Sequence, residues 1–341
     1  KEAKVMLDNN IKLGHVGHLV QIPSKMLENI IEKGVDIITV YSLDKIKEIT
    51  NKDFKFYEID YLDTPKLRKV FEENKIDAVM NFAGFKSVGE SVAKPLDYYE
   101  NNVSGAVGLL KTMKEFNVKK FIFSSSATVY GDPEVVPITE DCKTGGTTNP
   151  YGTTKLFIEQ ILKDLYKSDN DWDIAILRYF NPVGSHETGL IGEEPKGVPN
   201  NLMPYIFRVA AGELAQLSVF GNDYDTPDGT GVRDYIHVVD LSKGHLKALD
   251  KLDREGKGLF IYNLGTGKGY SVLDMIKAFE ESTGQEVNYK IVGRREGDIA
   301  TCYADPTKAK NELGWETEKS LRDMCRDSWL YIQTAKGMKQ K

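Results

Sequence analysis

The chain has 341 residues, which is long enough to bury a sizeable core in one large domain or in two closely associated ones. Its formal net charge of -6 and its pI near 5.6 exclude the basic surface that nucleic-acid binding requires. No apolar run is long enough to span a bilayer and no signal-peptide pattern opens the chain, so we expect no membrane partner and no secretory leader.

The cysteines and histidines indicate a reducing compartment and no bound metal. Cys142, Cys302 and Cys325 are widely spaced and include no Cys-x-x-Cys pair, which argues against a disulfide framework or a zinc site. His15 and His18 share a helical spacing, but two ligands without a third do not make a metal site. We therefore expect a cytoplasmic protein that holds no metal.

The first fifty residues show the outline of a dinucleotide-binding unit, in which a strand, a glycine-rich turn, a helix and a second strand follow one another. Residues 24–33 predict the helix, and Gly34 is suited to its C-terminal cap. Residues 36–41 predict the second strand. Further strands are predicted at residues 54–59, 77–82 and 174–179.

The stretch that carries chemistry begins at residue 120. Residues 120–123 form a short apolar run that predicts a buried parallel strand, and three serines, residues 124–126, lie at its carboxyl end, where open α/β sheets bind ligands. Tyr151 and Lys155 open a helical pattern and lie four apart, so they share one helix face. A nearby ammonium and a positively charged nicotinamide ring would both favour the phenolate. The pair could then take a proton from a sugar hydroxyl while hydride leaves the same carbon.

The sequence Ser-Ser-Ser-Ala-Thr-Val-Tyr-Gly at 124–131, with Tyr151 and Lys155, resembles the Ser/Tyr/Lys set of the extended short-chain dehydrogenase/reductase superfamily, and in particular the UDP-glucose (UDP-galactose) 4-epimerase family. The match is at the level of motifs from residue 54 onward. It implies an α/β fold, with a Rossmann-type parallel sheet flanked by helices and a smaller mixed α/β C-terminal substrate-binding region. It also implies an NAD-binding domain at 1–181 and a UDP-sugar-binding domain at 182–341, with some segments returning to the first.

The resemblance implies a mechanism as well. Tyr151 would remove the proton of the sugar 4-hydroxyl with help from Ser126, hydride would pass from C4 to NAD, and the 4-keto sugar would take hydride back on its other face. Lys155 would tune the phenol and hold the nicotinamide ribose. Spacing favours Ser126, twenty-five residues before Tyr151, as the catalytic serine. Ser124 and Ser125 remain alternatives as helpers.

The same resemblance implies a set of cofactor contacts in the first half of the chain. Asp60 and Tyr61 would lie at the adenine, and Lys86 near a cofactor hydroxyl. A surface lysine after a turn and a helix-capping asparagine are the alternative interpretations of Lys86 and Asn101. The full set is Gly17, Asp60, Tyr61, Phe82, Ala83, Lys86, Asn101, Ser124, Tyr151, Lys155 and Phe180.

The glycine-rich turn of the family is degenerate in this chain. Counted back from the cap, its three glycines fall on Gly17, Val20 and Pro23, and a frame on Gly14 and Gly17 still places Val20 third. A β-carbon in the turn obstructs the approach of backbone to a pyrophosphate. The acid that follows the second strand is also missing, with Asp44 as a displaced substitute. Either a remodelled loop holds the cofactor, or the affinity for it is reduced or lost.

Substrate contacts are implied mostly in the second half. Arg233 offers a planar fork suited to a diphosphate, and residues 199–206 resemble the nucleotide-sugar contact at a helix start. Phe220 would stack on uracil. The full set is Ser126, Asn181, Asn200, Asn201, Leu202, Phe220, Arg233, Tyr235, Arg295, Asp298 and Cys302. Surface ion pairs for the arginines and a simple turn at Asn181 are the alternatives.

Two further positions in the second half have opposite interpretations. Cys302 falls where family members carry either a tyrosine or a small residue beside the second carbon of the sugar, so its small side chain predicts that N-acetylated UDP-sugars are also accepted. The glycine-rich run at 262–267 tempts one to see a displaced phosphate loop. The family has this run outside the cofactor site, so we interpret it as structural.

Two other functions compete with epimerisation. Sugar-nucleotide dehydratases share the fold and the Tyr/Lys pair, but their strand end usually reads Thr followed by Asp-Glu, unlike residues 126–128. A catalytically silent UDP-sugar-binding protein that has lost NAD is the other alternative, because the substrate motifs survive and the glycine turn does not. The family commonly forms homodimers through helices that include the Tyr151 helix, so a homodimer is expected.

Overall fold

The computed structural model describes residues 3–7, 12–16, 43–51, 55, 57–193, 199, 201–295 and 297–338 of the protein. The helix expected at 24–33, the strand expected at 36–41 and the glycine turn expected at 17–23 lie outside the described residues.

The strands and helices of the described residues follow in chain order. The strands are β1 (Ala3–Leu7), β2 (Lys12–Val16), β3 (Tyr57–Ile59), β4 (Ala78–Asn81), β5 (Lys120–Ser126), β6 (Asp173–Tyr179), β7 (Asn181–Val183), β8 (Leu217–Phe220), β9 (Val232–Arg233), β10 (Tyr235–His237), β11 (Gly258–Leu264), β12 (Tyr270–Ser271), β13 (Tyr289–Val292) and β14 (Thr301–Cys302). The helices are α1 (Leu43–Thr50), α2 (Thr64–Glu73), α3 (Val88–Ala93), α4 (Pro95–Tyr98), α5 (Gly105–Glu115), α6 (Pro150–Ser168), α7 (Leu202–Ala210), α8 (Val238–Glu255), α9 (Val272–Thr283), α10 (Thr307–Leu313) and α11 (Leu321–Ala335). None of these helices is long and apolar enough to cross a membrane.

The chain divides into two compact units. The first unit comprises Lys1–Gly131, Lys143–Tyr179 and Ser242–Tyr262. The second unit comprises Asp132–Cys142, Phe180–Leu241 and Asn263–Lys341. The chain therefore passes between the units several times. The assignment of NAD to residues 1–181 and of the UDP-sugar to 182–341 stays a prediction.

The first unit is built on a seven-stranded sheet of order β11-β6-β5-β4-β2-β1-β3. Strands β2, β4, β5 and β6 run parallel to one another, which confirms the predicted Rossmann-type core. Strand β1 is antiparallel to both β2 and β3, so the sheet is mixed on that side. A strand of this direction beside β2 was not expected from the strand–turn–helix–strand outline.

The middle strands match the sequence-based prediction closely. The apolar runs at 77–82, 120–123 and 174–179 form β4, β5 and β6, and nearly every residue of these strands is buried. Continuous burial is expected of parallel strands that are covered on both faces. Strand β5 extends through the three serines to Ser126, which pairs with Tyr179 of β6.

Helix α6 begins at a strong start signal. Pro150 occupies its first turn, and the side chain of Asn149 accepts a hydrogen bond from the Gly152 N–H at 2.9 Å. Proline at the first position and asparagine as the N-cap both favour a helix start at this point. The first turn of α6 therefore carries Tyr151, and the second carries Lys155.

Helices α4 and α5 are joined by a π-helical segment, Tyr99–Ser104. π-Helical turns are rare and often occur at functional sites. Here the segment buries Asn101 and Asn102 side by side, and the Asn101 amide donates to Asn102 Oδ1 at 2.9 Å. Asn101 is therefore inside a helical segment, and its interpretation as a helix cap was wrong.

The second unit has small sheets and its own apolar core. Strands β7 and β10 are parallel, β9 lies between β12 and β14, and β8 pairs with β13. Phe279 packs at the centre of the core, with its ring centroid 6.0 Å from that of Phe207 and 5.6 Å from that of Trp329.

A buried carboxylate organises the glycine-rich run at 262–267. Asp234 is fully buried, and its carboxylate accepts N–H groups of Thr266 at 2.8 Å, Gly267 at 3.1 Å and Ala304 at 3.1 Å. Successive N–H groups of this kind make an anion-binding concavity. Because the protein's own carboxylate fills it, the run is structural, which confirms the sequence-based interpretation.

Candidate active site

Tyr151 and Lys155 lie on the buried face of α6, beside the end of β5. The Lys155 ammonium donates to the carbonyl oxygen of Ser124 at 2.7 Å and lies 4.9 Å from the centroid of the Phe123 ring. Ser126, at the last position of β5, lies near enough to Tyr151 to lower the pKa of its phenol. The structure thus brings the predicted Ser/Tyr/Lys set together within the first unit.

The ionisation of the pair differs from the sequence-based expectation. Burial raises the pKa of Tyr151 well above its ordinary value, and the neighbouring Tyr179 raises it further, against a smaller lowering by Ser126. The expectation that Lys155 lowers this pKa was wrong for the protein alone. The physical reason is that desolvation dominates and that the ammonium is directed at the Ser124 carbonyl.

Burial makes the charged form of Lys155 unfavourable in free energy. Burial lowers the pKa of Lys155 to about 7, and the carboxylate of Glu159 acts in the opposite direction. The ammonium is therefore maintained against desolvation by a single carboxylate among the described residues.

The three serines of β5 have different partners. Ser124 Oγ lies 3.1 Å from Nε2 of His245, and Ser125 Oγ donates to Glu159 at 2.6 Å. Ser126 Oγ accepts from the hydroxyl of Thr128 at 3.0 Å. Of the three hydroxyls, only that of Ser126 influences Tyr151 directly, which supports its predicted role over the two alternatives.

The loop after β4 lies in the same unit and contains the predicted Phe82 and Ala83. Phe82 is buried with its ring centroid 4.7 Å from that of His245. The N–H of Ala83 donates to Asn81 Oδ1 at 2.9 Å. Lys86 is exposed at the end of this loop.

Asn102, which the sequence analysis did not single out, fixes the rest of this loop. Its side-chain oxygen accepts the Phe85 N–H at 2.7 Å, and its amide donates to the Phe85 carbonyl at 3.0 Å. The same amide donates to Thr154 Oγ1 of α6 at 3.0 Å. The repeated asparagine at 101–102, next to a predicted contact, was the available signal.

The predicted adenine contacts follow β3. Asp60 Oδ1 accepts the N–H of Leu62 at 2.9 Å, which stabilises the turn. Tyr61 is buried, and burial raises the pKa of its phenol above its usual range. A β-carbon at Gly105 would lie 2.0 Å from the Tyr61 ring, so the start of α5 requires glycine there.

The predicted substrate residues of the second unit converge around β9 and β10. Tyr235 pairs with Asn181 across β10 and β7, and Cys302 pairs with Arg233 across β14 and β9. Burial raises the pKa of Tyr235 to about 12, while the nearby Arg233 lowers it. Burial likewise raises the pKa of Cys302 to about 11.

The guanidinium of Arg233 has N–H donors that no acceptor among the described residues occupies. Its Nη1 donates to the carbonyl of Val232 at 2.8 Å, while its Nε and Nη2 have no acceptor among the described residues. A planar fork with free donors is suited to an anionic diphosphate.

Arg295 is paired instead with a neighbour. Its guanidinium makes two hydrogen bonds to the Asp298 carboxylate, at 3.1 and 2.7 Å, and lies 5.7 Å from the centroid of the Phe220 ring. Phe220 is 43% exposed. The surface ion pair considered from the sequence is therefore present at Arg295, next to the ring predicted to stack on a base.

Of the five remaining predicted residues, Gly17 and Asn200 lie outside the described residues. Asn201 is at the N-cap position of α7, without a side-chain capping bond, and Leu202 begins that helix against the core of the second unit. Phe180 is buried in the second unit.

Comparison with known proteins identifies the family. A family model described as GDP-mannose 4,6 dehydratase matches residues 20–328. The UDP-glucose 4-epimerase of Haemophilus influenzae is 62% identical over 288 residues, which cover 84% of this chain and 85% of that protein. The chain belongs to the UDP-glucose 4-epimerase family. The epimerase of Bacillus subtilis agrees, with 57% identity over 318 residues and 93% coverage of both chains.

A solved member of the epimerase family has the same fold. The crystal structure of UDP-glucose 4-epimerase from Bifidobacterium longum in complex with NAD+ and UDP matches with a TM-score of 0.89 and 53% identity, covering 96% of this chain and 98% of that one. The resemblance drawn from residues 124–131, Tyr151 and Lys155 is thereby confirmed. The high identity to epimerases favours this family over the dehydratases, which share the superfamily.

The described residues fit the nicotinamide end of an NAD molecule. Only one of the three N–H groups of Lys155 has an acceptor among these residues, which leaves two for ribose hydroxyls. Gly84, at φ +146°, allows the backbone to turn after β4, and a β-carbon there would lie 3.1 Å from Asn102 Oδ1. Only glycine at position 84 therefore allows the backbone to lie this close to Asn102.

Proposed function

We propose that the chain is an NAD-dependent UDP-sugar 4-epimerase that interconverts UDP-glucose and UDP-galactose. The observation that carries the proposal is the buried pair on α6, in which Lys155 is fixed on the Ser124 carbonyl and Tyr151 lies beside Ser126. This acid–base pair occurs in a chain that belongs to the epimerase family. A silent UDP-sugar-binding protein would have no need to keep a lysine buried at this cost.

The residues of the first unit perform the acid–base chemistry. Tyr151 takes the proton of the sugar 4-hydroxyl and later returns it, and Ser126 hydrogen-bonds the same oxygen. NAD, when bound, accepts hydride from C4, returns it to the other face of the 4-keto sugar, and carries a positive ring charge that favours the phenolate. Lys155 holds the nicotinamide ribose with its two remaining N–H groups.

The residues of the second unit hold the nucleotide. Arg233 offers its free Nε and Nη2 to the diphosphate, and Phe220 offers a ring face to the uracil. Asn181, Asn200, Asn201, Leu202, Tyr235, Arg295 and Asp298 complete the set inferred from the family motifs. A substrate held by its nucleotide can present both faces of the sugar ring in turn.

The first prediction concerns the cofactor. The purified protein should release NAD on denaturation and should interconvert UDP-glucose and UDP-galactose without added cofactor, measured by chromatography of the nucleotide sugars. Protein that binds UDP but contains no dinucleotide would favour the silent binder. A product that has lost water from the sugar would favour a dehydratase.

The second prediction concerns the base. Tyr151→Phe should lower kcat by about a thousandfold, because general acid–base catalysis contributes about 10²–10⁴-fold. Bound NAD and the affinity for UDP, measured by calorimetry, should remain unchanged. Tyr166→Phe, on the same helix and half-buried, serves as the matched control and should keep wild-type activity. A Tyr151→Phe enzyme with wild-type kcat would remove the phenol from the mechanism.

The small side chain of Cys302 supports a wider substrate range. Cys302 is half-buried on β14, opposite Arg233 on β9, so a residue at this position lies close to the guanidinium proposed to hold the diphosphate. A thiol leaves more room than a tyrosine would. We therefore extend the proposal to UDP-N-acetylglucosamine and UDP-N-acetylgalactosamine.

The third prediction tests this extension. Cys302→Tyr should lose turnover of UDP-N-acetylgalactosamine while keeping turnover of UDP-galactose, because the larger ring fills the space of the N-acetyl group. Cys302→Ser should keep both activities, since its side chain stays small. Equal turnover of the N-acetylated sugar by Cys302→Tyr and the wild type would count decisively against the extension.

The proposal includes a homodimer. Helices α3, α4 and α6 carry exposed apolar side chains, namely Val92 at 62%, Leu96 at 79% and Phe157 at 46% exposure. Large exposed apolar patches commonly mark interaction surfaces. The ring of Tyr99 lies 5.9 Å from that of Phe157 and extends the patch.

Three unpaired cysteines further support a cytoplasmic location.

The fourth prediction tests the dimer. The wild type should elute with about twice the chain mass of 38.3 kDa in light-scattering chromatography. Leu96→Glu combined with Phe157→Glu should give a monomer, because two charges would be buried in the interface. Val135→Glu, which replaces an exposed valine of the second unit, is the control and should stay dimeric. A wild-type monomer would contradict the proposal directly.

A further inference from the structure

A second charged pair is buried in the first unit, and the proposed chemistry does not use it. Glu159 on α6 and Arg178 on β6 are both buried almost completely. Arg178 Nε donates to Glu159 Oε1 at 3.0 Å, and Nη2 donates to Glu159 Oε2 at 2.7 Å. Burying such a pair costs desolvation energy that an apolar pair of the same volume would avoid. Its position therefore calls for a functional explanation.

Glu159 continues the catalytic face of α6. Tyr151, Lys155 and Glu159 follow one another at intervals of four, so they lie on one face of the helix. All three are buried. Because α6 is a single helix, a group that holds Glu159 also sets the rotation of Tyr151 and Lys155 about the helix axis.

The contacts of Glu159 reach the strands that form the site. Ser125 Oγ of β5 donates to Glu159 Oε1 at 2.6 Å, between the serine whose carbonyl binds Lys155 and the serine beside Tyr151. Arg178 of β6 also donates to the Tyr130 hydroxyl at 2.9 Å, which fixes the turn after β5. The pair thus joins β5, β6 and α6 at the level of the catalytic groups.

Glu159 is also the carboxylate that acts on Lys155. It raises the pKa of Lys155 against desolvation, and no other charged group has a comparable effect among the described residues. From β5, Lys155 faces only the Ser124 carbonyl and the Phe123 ring.

The remaining titratable groups near the site contact its residues but not Lys155 itself. From α8, His245 Nε2 lies 3.1 Å from Ser124 Oγ. From β6, Arg178 is paired with Glu159, and Tyr179 acts on Tyr151. From α4, Tyr98 also acts on Tyr151. Lys163, one turn further along α6, is partly exposed, and its Nζ lies 3.9 Å from Oε2 of the buried Glu159.

We propose that Glu159 is a positioning residue for the epimerase reaction: clamped by Ser125 and Arg178, it aligns the Tyr151–Lys155 face of α6 with the end of β5 and keeps the Lys155 ammonium charged. The inference rests on the proposed function for its catalytic consequence. Its electrostatic consequence can be measured without turnover.

The decisive variant is Glu159→Gln, which keeps the shape of the side chain and an oxygen for Arg178 but removes the charge. The Lys155 titration, followed by NMR of ε-¹³C lysine in the intact protein and assigned with Lys155→Met, should move to lower pH by at least about one unit. The alkaline limb of kcat should move in the same direction, because the ammonium loses its proton earlier. At neutral pH, kcat should fall by about tenfold or more, while KM changes little.

Ser125→Ala separates alignment from charge. It removes one anchor of Glu159 and leaves the carboxylate in place, so kcat should fall by a few-fold without a shift of the pH profile. Leu67→Ala, in the buried face of α2, is the stability control. It should lower the melting temperature and leave kcat and its pH profile unchanged.

The outcomes that would overturn the inference are distinct from those that would overturn the proposed function. A Glu159→Gln enzyme with lower melting temperature but unchanged kcat, pH profile and Lys155 titration would reduce the pair to a structural role. If the wild type shows no epimerase activity, the proposed function fails, and the Lys155 titration still decides the inference. Should Glu159→Gln not fold, Glu159→Met with Arg178→Met removes both charges together, and a wild-type Lys155 titration in that variant would overturn it.

Discussion

The hydrogen bond from the Lys155 ammonium to the Ser124 carbonyl, at 2.7 Å, is the contact on which the candidate active site depends. It joins the second turn of α6 to the carboxyl end of β5, where ligands of parallel sheets bind. The hydroxyl of the same serine lies 3.1 Å from His245 on α8, so one residue is in contact with both helices. Tyr151 and Ser126 are then placed by the covalent continuity of the helix and the strand.

In the second unit, a buried carboxylate rather than a lysine fixes the segments around the predicted substrate residues. Asp234 binds the N–H groups of the 262–267 run with its carboxylate, and it follows Arg233 directly in the chain. The N–H bonds compensate for a burial that by itself raises the pKa of Asp234. A loop whose glycines suggest phosphate binding is thus used to fix the strand that presents the guanidinium. Glycine-rich turns therefore have to be interpreted together with the acids of the same unit.

Local sequence signals were sufficient for the core of the fold and for the common helix face of Tyr151 and Lys155. The apolar runs predicted β4, β5 and β6, and the spacing of Tyr151 and Lys155 predicted their common helix face. Contacts between distant segments could not be predicted in this way, because spacing carries no information about them. The π-helical burial of Asn102 and the antiparallel direction of β1 are of this kind. The sign of the Tyr151 pKa shift was missed because desolvation depends on burial, which a motif does not specify.

Arg178 and Lys155, two of the buried cations of the first unit, have tasks that cannot be exchanged. Arg178 remains charged at every accessible pH and offers a planar fork, so it can hold both oxygens of Glu159 permanently. Lys155 is a point charge whose pKa falls to about 7 on burial, so its protonation responds to neighbouring groups. Arginine at 155 would be a fixed charge too large for the site, and lysine at 178 would bind only one oxygen of Glu159. The Arg178–Glu159 pair is therefore permanently charged, and it acts electrostatically on Lys155, whose charge depends on pH.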